Sequence, residues 1–290
     1  MKAVTHNGDF HSDDIFGSAL LRIVFEDIEI VRSRDESVIE SADIVFDVGG
    51  VFDPSRGRFD HHQNGGAGGR QNGIPYASFG LLWKEYGENV CGSKDVMQAI
   101  DTKLVAPIDA VDNGVDICAP KIPCILPYSV QQFFSIFTPT WDEPELDRDI
   151  IFKKLSDMAM DILKREIAVS KSFERAKSKV VEIYKTAEDK RIIVLDAQYP
   201  ISLLQEFSDV IFVVYKGVNE NDYRAKAMRK NSDCFDVKKP FPISWAGKEG
   251  EELQNITGVS TAKFAHQKQF LVGADTLDGA LELAKIALNA

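Results

Sequence analysis

Cysteine is scarce in this chain of 290 residues: Cys91, Cys118, Cys124 and Cys234 are scattered, and no two form a Cys-x-x-Cys pair. That excludes a dense disulfide framework and favours free thiols in a reducing compartment. No apolar run approaches the ~20 residues that a membrane-spanning helix needs. The opening Met1-Lys-Ala-Val-Thr-His6 runs straight into polar residues, where a signal peptide would carry its apolar segment. A cytoplasmic protein with no membrane partner is therefore expected. Positive charge is short as well, with 34 Lys and Arg against 45 Asp and Glu for a net charge of −11. Extensive duplex-binding surfaces are basic, so a long duplex is excluded as the expected partner. A short single strand or a small phosphorylated molecule held at a local site is not, and bound dications would offset several of the carboxylates.

Histidine is rare too, with five residues in all, but its placement is informative. Four lie in the first 62 positions, in His6-Asn-Gly-Asp9-Phe-His11-Ser-Asp13-Asp14 and in Asp60-His61-His62; the fifth is His266. Imidazole and carboxylate together are the ligand set for manganese, iron or zinc at oxygen-rich substrates. A chain that spends its histidines in this way is building a metal site.

The length suits one large or two medium domains. The first ~120 residues alternate between strands and helices. Lys2–Thr5 and Asp43–Phe46 read as strands ending at His6 and Asp47, with Ile28–Val31 as another; Asp14–Phe25, Pro75–Tyr86 and Val96–Ile108, continuing toward Asp112, read as helices. Such alternation predicts a parallel sheet covered by helices, with ligands at the carboxyl ends of the strands. A long amphipathic helix is expected within Trp141–Thr186. A second α/β unit follows, with strands at Arg191–Leu195, Val210–Tyr215, Tyr223–Arg229 and Thr261–Ala265 and helices at Ile201–Phe207 and Thr276–Leu288. The division expected is 1–140 as the metal-binding domain, 141–187 as a helical connector and 188–290 as a smaller C-terminal α/β domain.

Asp47-Val-Gly-Gly adds a carboxylate at a strand end, with glycines that let the backbone pass close to a site. Asp109 and Asp112, spaced i and i+3 at the end of an apolar helix, can face one way, and spacing leaves the choice between them open. It also leaves Asp9 as a rival to His11. Asn64–Gly73 is too glycine-rich for regular structure; read functionally, it is a flap whose amides and Arg70 meet phosphate oxygens.

In order, the motifs Thr5-His-Asn-Gly-Asp-Phe-His-Ser-Asp-Asp14, Phe46-Asp-Val-Gly-Gly50, Arg58-Phe-Asp-His-His-Gln63, Gly80-Leu-Leu-Trp-Lys84, Ile108-Asp-Ala-Val-Asp-Asn-Gly114, Thr138-Pro-Thr-Trp141 and Phe264-Ala-His-Gln-Lys-Gln-Phe-Leu-Val-Gly273 resemble the melanocyte proliferating gene 1 family, over nearly the whole chain. That family belongs to the DHH phosphoesterase superfamily, with RecJ-type exonucleases, oligoribonucleases and manganese pyrophosphatases. The superfamily's first motif usually reads His-x3-Asp-x-Asp; here a histidine stands where one carboxylate would.

The resemblance implies a two-lobed phosphoesterase with two divalent ions, Mn2+ foremost and Mg2+, Co2+, Fe2+ or Zn2+ compatible. It implies His6, His11 and Asp47 around one ion and Asp13, Asp47, His61 and Asp109 or Asp112 around the other, with Asp47 shared. Asp60 would orient an imidazole and His62 would face the substrate phosphate. In the C-terminal substrate-binding domain, Arg224, His266 and Gly273 match family positions, and Arg suits bidentate phosphate contact. Two cations ~3.5–4 Å apart would activate water and stabilise the leaving oxygen. The expected activity is 3′–5′ exonuclease cleavage of short single-stranded RNA or DNA, its polarity and substrate resting on the resemblance alone. The alternatives are an inorganic pyrophosphatase-like or other small-phosphate hydrolase with the same two-metal site, or a hydrolase of a non-phosphate bond. Self-association into a homodimer is compatible with all of these.

Overall fold

Two five-stranded sheets organise the computed structural model, which describes residues 1–143, 145–231 and 234–290. The chain packs as two compact units, Met1–Lys171 and Ser172–Ala290.

In the first unit the strands are β1 (Lys2–Thr5), β2 (Glu29–Arg32), β3 (Ile44–Phe46), β4 (Phe52–Asp53) and β5 (Arg58–Phe59), in the order β2-β1-β3-β5-β4. All neighbours are parallel except β4, which runs antiparallel to β5. Helix α1 (Ser12–Val24) returns the chain from β1 to β2. Its first turn carries Asp13 and Asp14, where carboxylates favour the helix dipole, and Ile15, Phe16, Ala19 and Leu20 give it a fully buried face. The short α2 (Glu36–Glu40) is capped by Asp35 and leads into β3. Helix α3 (Ser78–Cys91) packs beside α1, with the Phe16 and Phe79 rings stacked 5.4 Å apart, and ends at Gly92 in the left-handed conformation. Next, α4 (Lys94–Ile100), a π-helical turn over Asp101–Val105 and α5 (Ala106–Asp112) form one continuous helical run. The short α6 (Val130–Ser135) plants Phe134 in the core against Phe16, 5.7 Å between centroids.

The long helix α7 spans Arg148–Thr186. It starts later than the expected span, of which Pro144 lies outside the described residues. Phe152, Leu155, Ala159 and Leu163 bury its first half in the core of the first unit, and Ala176 and Val180 bury its second half in the other.

The second unit holds β6 (Ile192–Val194), β7 (Phe212–Lys216), β8 (Tyr223–Ala227), β9 (Ala262–Ala265) and β10 (Leu271–Ala274), ordered β6-β7-β8-β10-β9. Only β6 and β7 are parallel. Helix α8 (Gly250–Thr257) precedes β9, and α9 (Leu277–Asn289), capped by Thr276, covers one sheet face with Ala280, Leu283 and Ala284. The expected helix at Ile201–Phe207 is a 3-10 turn over Ile201–Glu206. Among the described residues no helix is long and apolar enough to cross a membrane.

Candidate metal centre

Three adjacent parallel strands deliver ligand-type side chains to one sheet edge. His6 follows β1, Asp47 follows β3, and Asp60-His61-His62 follow β5, as expected for the carboxyl edge of an open α/β sheet. The N-terminus of α1 adds His11, Asp13 and Asp14, and the last residue of α5 is Asp112. Asp47 has a φ of 56°, a left-handed conformation that costs a non-glycine residue on the order of 1–3 kcal/mol.

Ligand atoms of His6, His11 and Asp47 lie within 4.8 Å of one another, and so do those of Asp13, His61 and Asp112. Asp47 reaches both groups, with Oδ2 3.1 Å from His6 Nε2 and Oδ1 3.4 Å from His61 Nε2. His61 Nε2 is also 3.2 Å from Asp112 Oδ2. His6 Nδ1 donates to the Asn7 carbonyl at 3.1 Å, which turns Nε2 toward the carboxylates. His61 Nε2 and Asp14 Oδ2 are buried without any hydrogen-bond partner, an unusual state for buried polar atoms. Imidazole nitrogens facing carboxylate oxygens, with orphaned atoms among them, fit divalent cations. Asp9 lies outside this arrangement; it is exposed and pairs with Arg148 Nε at 3.4 Å.

The electrostatics follow from burial and crowding. Burial pushes the Asp47 carboxyl up, but the adjacent His6 and His61 imidazoles outweigh it and hold it at about 2. Burial, then the charges of Asp47, Asp112 and Asp109, push Asp13 well up, although Ser78 N–H (3.2 Å) and Phe79 N–H (2.8 Å) donate to it from the start of α3. For His61, burial opposes the proton, yet Asp112 and Asp47 raise it to about 11. So many acids in so small a volume favour cations, whether protons or metals.

Asp60 is occupied differently. Its Oδ1 accepts from His61 N–H (2.7 Å), His62 N–H (3.2 Å) and His62 Nδ1 (2.7 Å), and its Oδ2 accepts from Gly50 N–H (2.5 Å). With its oxygens taken, Asp60 orients the Asp-His-His segment. The His62 side chain is 60% exposed, and the bond to Asp60 engages its Nδ1 and leaves Nε2 over. The bond to Asp60 raises the His62 pKa against the effect of burial.

Two residues depart from their expected roles. Asp109 and Asp112 have different partners: Asp109 Oδ1 accepts from Gly80 N–H (3.1 Å) and Oδ2 from Arg70 Nη1 (2.6 Å), and Asp109 joins neither ligand group. A Cβ on Gly80 would collide with Asp109 Oδ2, so that glycine is what admits the carboxylate. Arg70, read as a phosphate contact on a flap, is instead 8% exposed and clamped between Asp109 and Asp101, the latter through Nε (2.9 Å) and Nη2 (2.7 Å). Its guanidinium also covers the Tyr76 ring at 4.5 Å.

In the second unit, Arg224 on β8 is bound to Asp222 through Nε (3.1 Å) and Nη2 (2.8 Å). It lines an open cavity of about 640 Å³ together with Lys226, Arg229 and Tyr215. His266 begins the turn after β9, and its Nδ1 accepts from Lys268 N–H at 3.1 Å. Gly273 lies opposite Arg224 in the sheet, and a Cβ there would run into the Phe264 ring.

Three contributors escape the motif reading. Asp14 sits beside a motif residue that already satisfies the spacing. The backbone amides at the start of α3, which hold Asp13 and Asp109, carry no side-chain signature. Gln131, on α6, accepts from both Ser12 N–H (2.7 Å) and Ser12 Oγ (2.8 Å) and so fixes the residue between His11 and Asp13; nothing in the sequence links positions 119 residues apart.

The sequence profile of a family described as MYG1_exonuc, Uncharacterised protein family (UPF0160), matches residues 2–288. The MYG1 protein of Dictyostelium discoideum is 31% identical over 98% of this chain and 95% of its own length. The protein named MYG1 exonuclease in Homo sapiens is 30% identical over 98% of this chain and 85% of its own. Among solved structures, RecJ in complex with Mn2+ from Thermus thermophilus matches with 11% identity and a TM-score of 0.28, over 100% of this chain and 52% of that one. With the profile and the relatives both spanning almost its full length, the chain belongs to the MYG1 exonuclease family.

Proposed function

We propose that this protein is a divalent-cation-dependent phosphodiesterase, a 3′–5′ exonuclease acting on short single-stranded RNA or DNA. The observation that carries this reading is Asp47, with one carboxylate oxygen toward His6 and the other toward His61. That is the arrangement of a ligand shared by two cations. The name exonuclease borne by the human and rat relatives supports the substrate class.

Two bound dications, Mn2+ in this reading, would activate a water and stabilise the leaving oxygen of an in-line displacement. The remaining work falls to the chain. His6, His11 and Asp47 hold one cation; Asp13, His61, Asp112 and Asp47 hold the other. Asp60 fixes the His62 ring by accepting from Nδ1, so that Nε2 points outward to a phosphate oxygen. The raised pKa of His62 keeps it cationic over a wider pH range, which suits an anionic group. Arg224 and His266 are assigned to the substrate side in the same reading.

The test is hydrolysis by the purified, Mn2+-loaded protein, comparing 3′- and 5′-labelled single-stranded RNA and DNA, inorganic pyrophosphate, nucleoside oligophosphates and peptides. Mononucleotides released from the 3′ end are expected. Preferential turnover of pyrophosphate, or of a peptide bond, would overturn the assignment.

A further inference from the structure

Asp13 and Asp14 are consecutive in the first turn of α1, and successive helical residues point about 100° apart. The two carboxylates therefore diverge. Asp13 joins the group with His61 and Asp112. Asp14 turns to His6, its Oδ2 3.3 Å from Nε2.

Asp14 is fully buried. Its Oδ1 has a structural task, accepting His11 N–H at 2.8 Å. Its Oδ2 has no hydrogen-bond partner. A helix-capping carboxylate needs one oxygen and is normally left in water, so burying the second oxygen unpaired is unfavourable unless something positive meets it. What it faces is Nε2 of His6, the ring nitrogen left over when Nδ1 binds the Asn7 carbonyl. Asp47 Oδ2 lies 3.1 Å from the same nitrogen. Two carboxylate oxygens thus face one imidazole nitrogen, and the Asp14 oxygen has no hydrogen-bond partner there. Adjacent ligand atoms around a small octahedral dication with ~2.1 Å bonds are ~3 Å apart, and the distances of 3.1 and 3.3 Å match that spacing.

We propose that Asp14 is a ligand of the first divalent cation alongside His6 and Asp47, with Oδ2 as its donor atom. The proposal rests on the two-cation reading above and adds a carboxylate that the motif spacing leaves out. Each ion then draws on one of two consecutive acids of α1, which couples the positions of both ions to a single helical turn.

Mn2+ titration calorimetry on the wild type, Asp14→Asn and Asp14→Glu, with thermal melts of the metal-free proteins, tests it. Asp14→Asn keeps an oxygen for the His11 N–H and removes the charge. Its expected effect is a loss of at least about tenfold in the affinity of one of two Mn2+ sites. The metal-free melting temperature should hold or rise, because an unpaired buried charge is gone. Asp14→Glu should bind more tightly than Asp14→Asn. If Asp14→Asn binds two ions as tightly as the wild type, Asp14 is a capping residue only and the proposal falls. The same holds if its metal-free melting temperature drops while both affinities stay unchanged. A wild type that binds no Mn2+ would instead remove the two-cation reading on which the proposal stands.

Discussion

Replacing Arg70 by Met leaves an unbranched apolar stem but removes the charge that faces Asp109 and Asp101. Asp109 is buried and the Arg70 side chain is only 8% exposed, so solvent screens the pair little, and removing one partner of such a pair costs roughly 3–5 kcal/mol. Protonation sets a ceiling on the loss. Burial already pushes Asp109 up to about 7 even with Arg70 opposing it, and without the guanidinium the carboxyl moves higher still. An acid whose pKa is raised by folding destabilises the fold increasingly as pH climbs above its unfolded value. The Arg70→Met variant should therefore lose more stability at pH 8 than at pH 5.5. Urea denaturation of wild type, Arg70→Met, Asp109→Asn and the double variant at both pH values measures this. The double variant should recover roughly 1–3 kcal/mol relative to the sum of the singles. If Arg70→Met unfolds within about 0.5 kcal/mol of the wild type while KM rises sharply, the ion-pair reasoning is wrong and Arg70 belongs to the substrate side.

Asp47→Asn should weaken Mn2+ binding at both sites and abolish hydrolysis more completely than His6→Ala or His61→Ala; calorimetry showing loss at one site alone would contradict the shared-ligand reading. Asp60→Asn keeps an acceptor for His62 Nδ1 but removes the carboxylate charge that raises the imidazole pKa, so the form protonated at low pH is lost earlier. The alkaline limb of the kcat/KM profile should shift to lower pH with metal content unchanged, and an unmoved limb would separate His62 from the reaction. Arg224→Ala should raise KM roughly tenfold, the worth of one charge-assisted hydrogen bond, without altering bound metal; unchanged kinetics would remove Arg224 from the substrate side.

The gathering of the candidate ligands at one sheet edge was legible in the sequence wherever strand ends and motif residues coincide. His6 and Asp47 follow apolar runs long enough to read as strands. Their neighbour β5 does not, because Arg58–Phe59 is only two residues long and half polar, yet it carries His61 to the same edge. Spacing placed Asp109 and Asp112 on one helix face but could not see that Gly80 and Arg70 draw one of them away. Arg70 itself was obscured by its glycine-rich surroundings, which describe the loop's conformation and not the acids waiting beneath it. Gln131 and the α3 amides act through backbone and distant contacts that no local pattern encodes.

The π-helical turn at Asp101–Val105 makes helix length a coordinate of the site. A π-turn holds one residue more than the α-helical phase allows, and that residue rotates everything after it by about 100°. Asp101 opens the π-turn and meets Arg70; Asp109 and Asp112 follow it and meet Arg70 and His61. Deleting a single residue such as Thr102 would restore an unbroken α-helix, with no loss of helical propensity. It would also swing Asp109 out of its socket over Gly80 and Asp112 away from His61. In this stretch a change in register would silence the site even if every acid were kept.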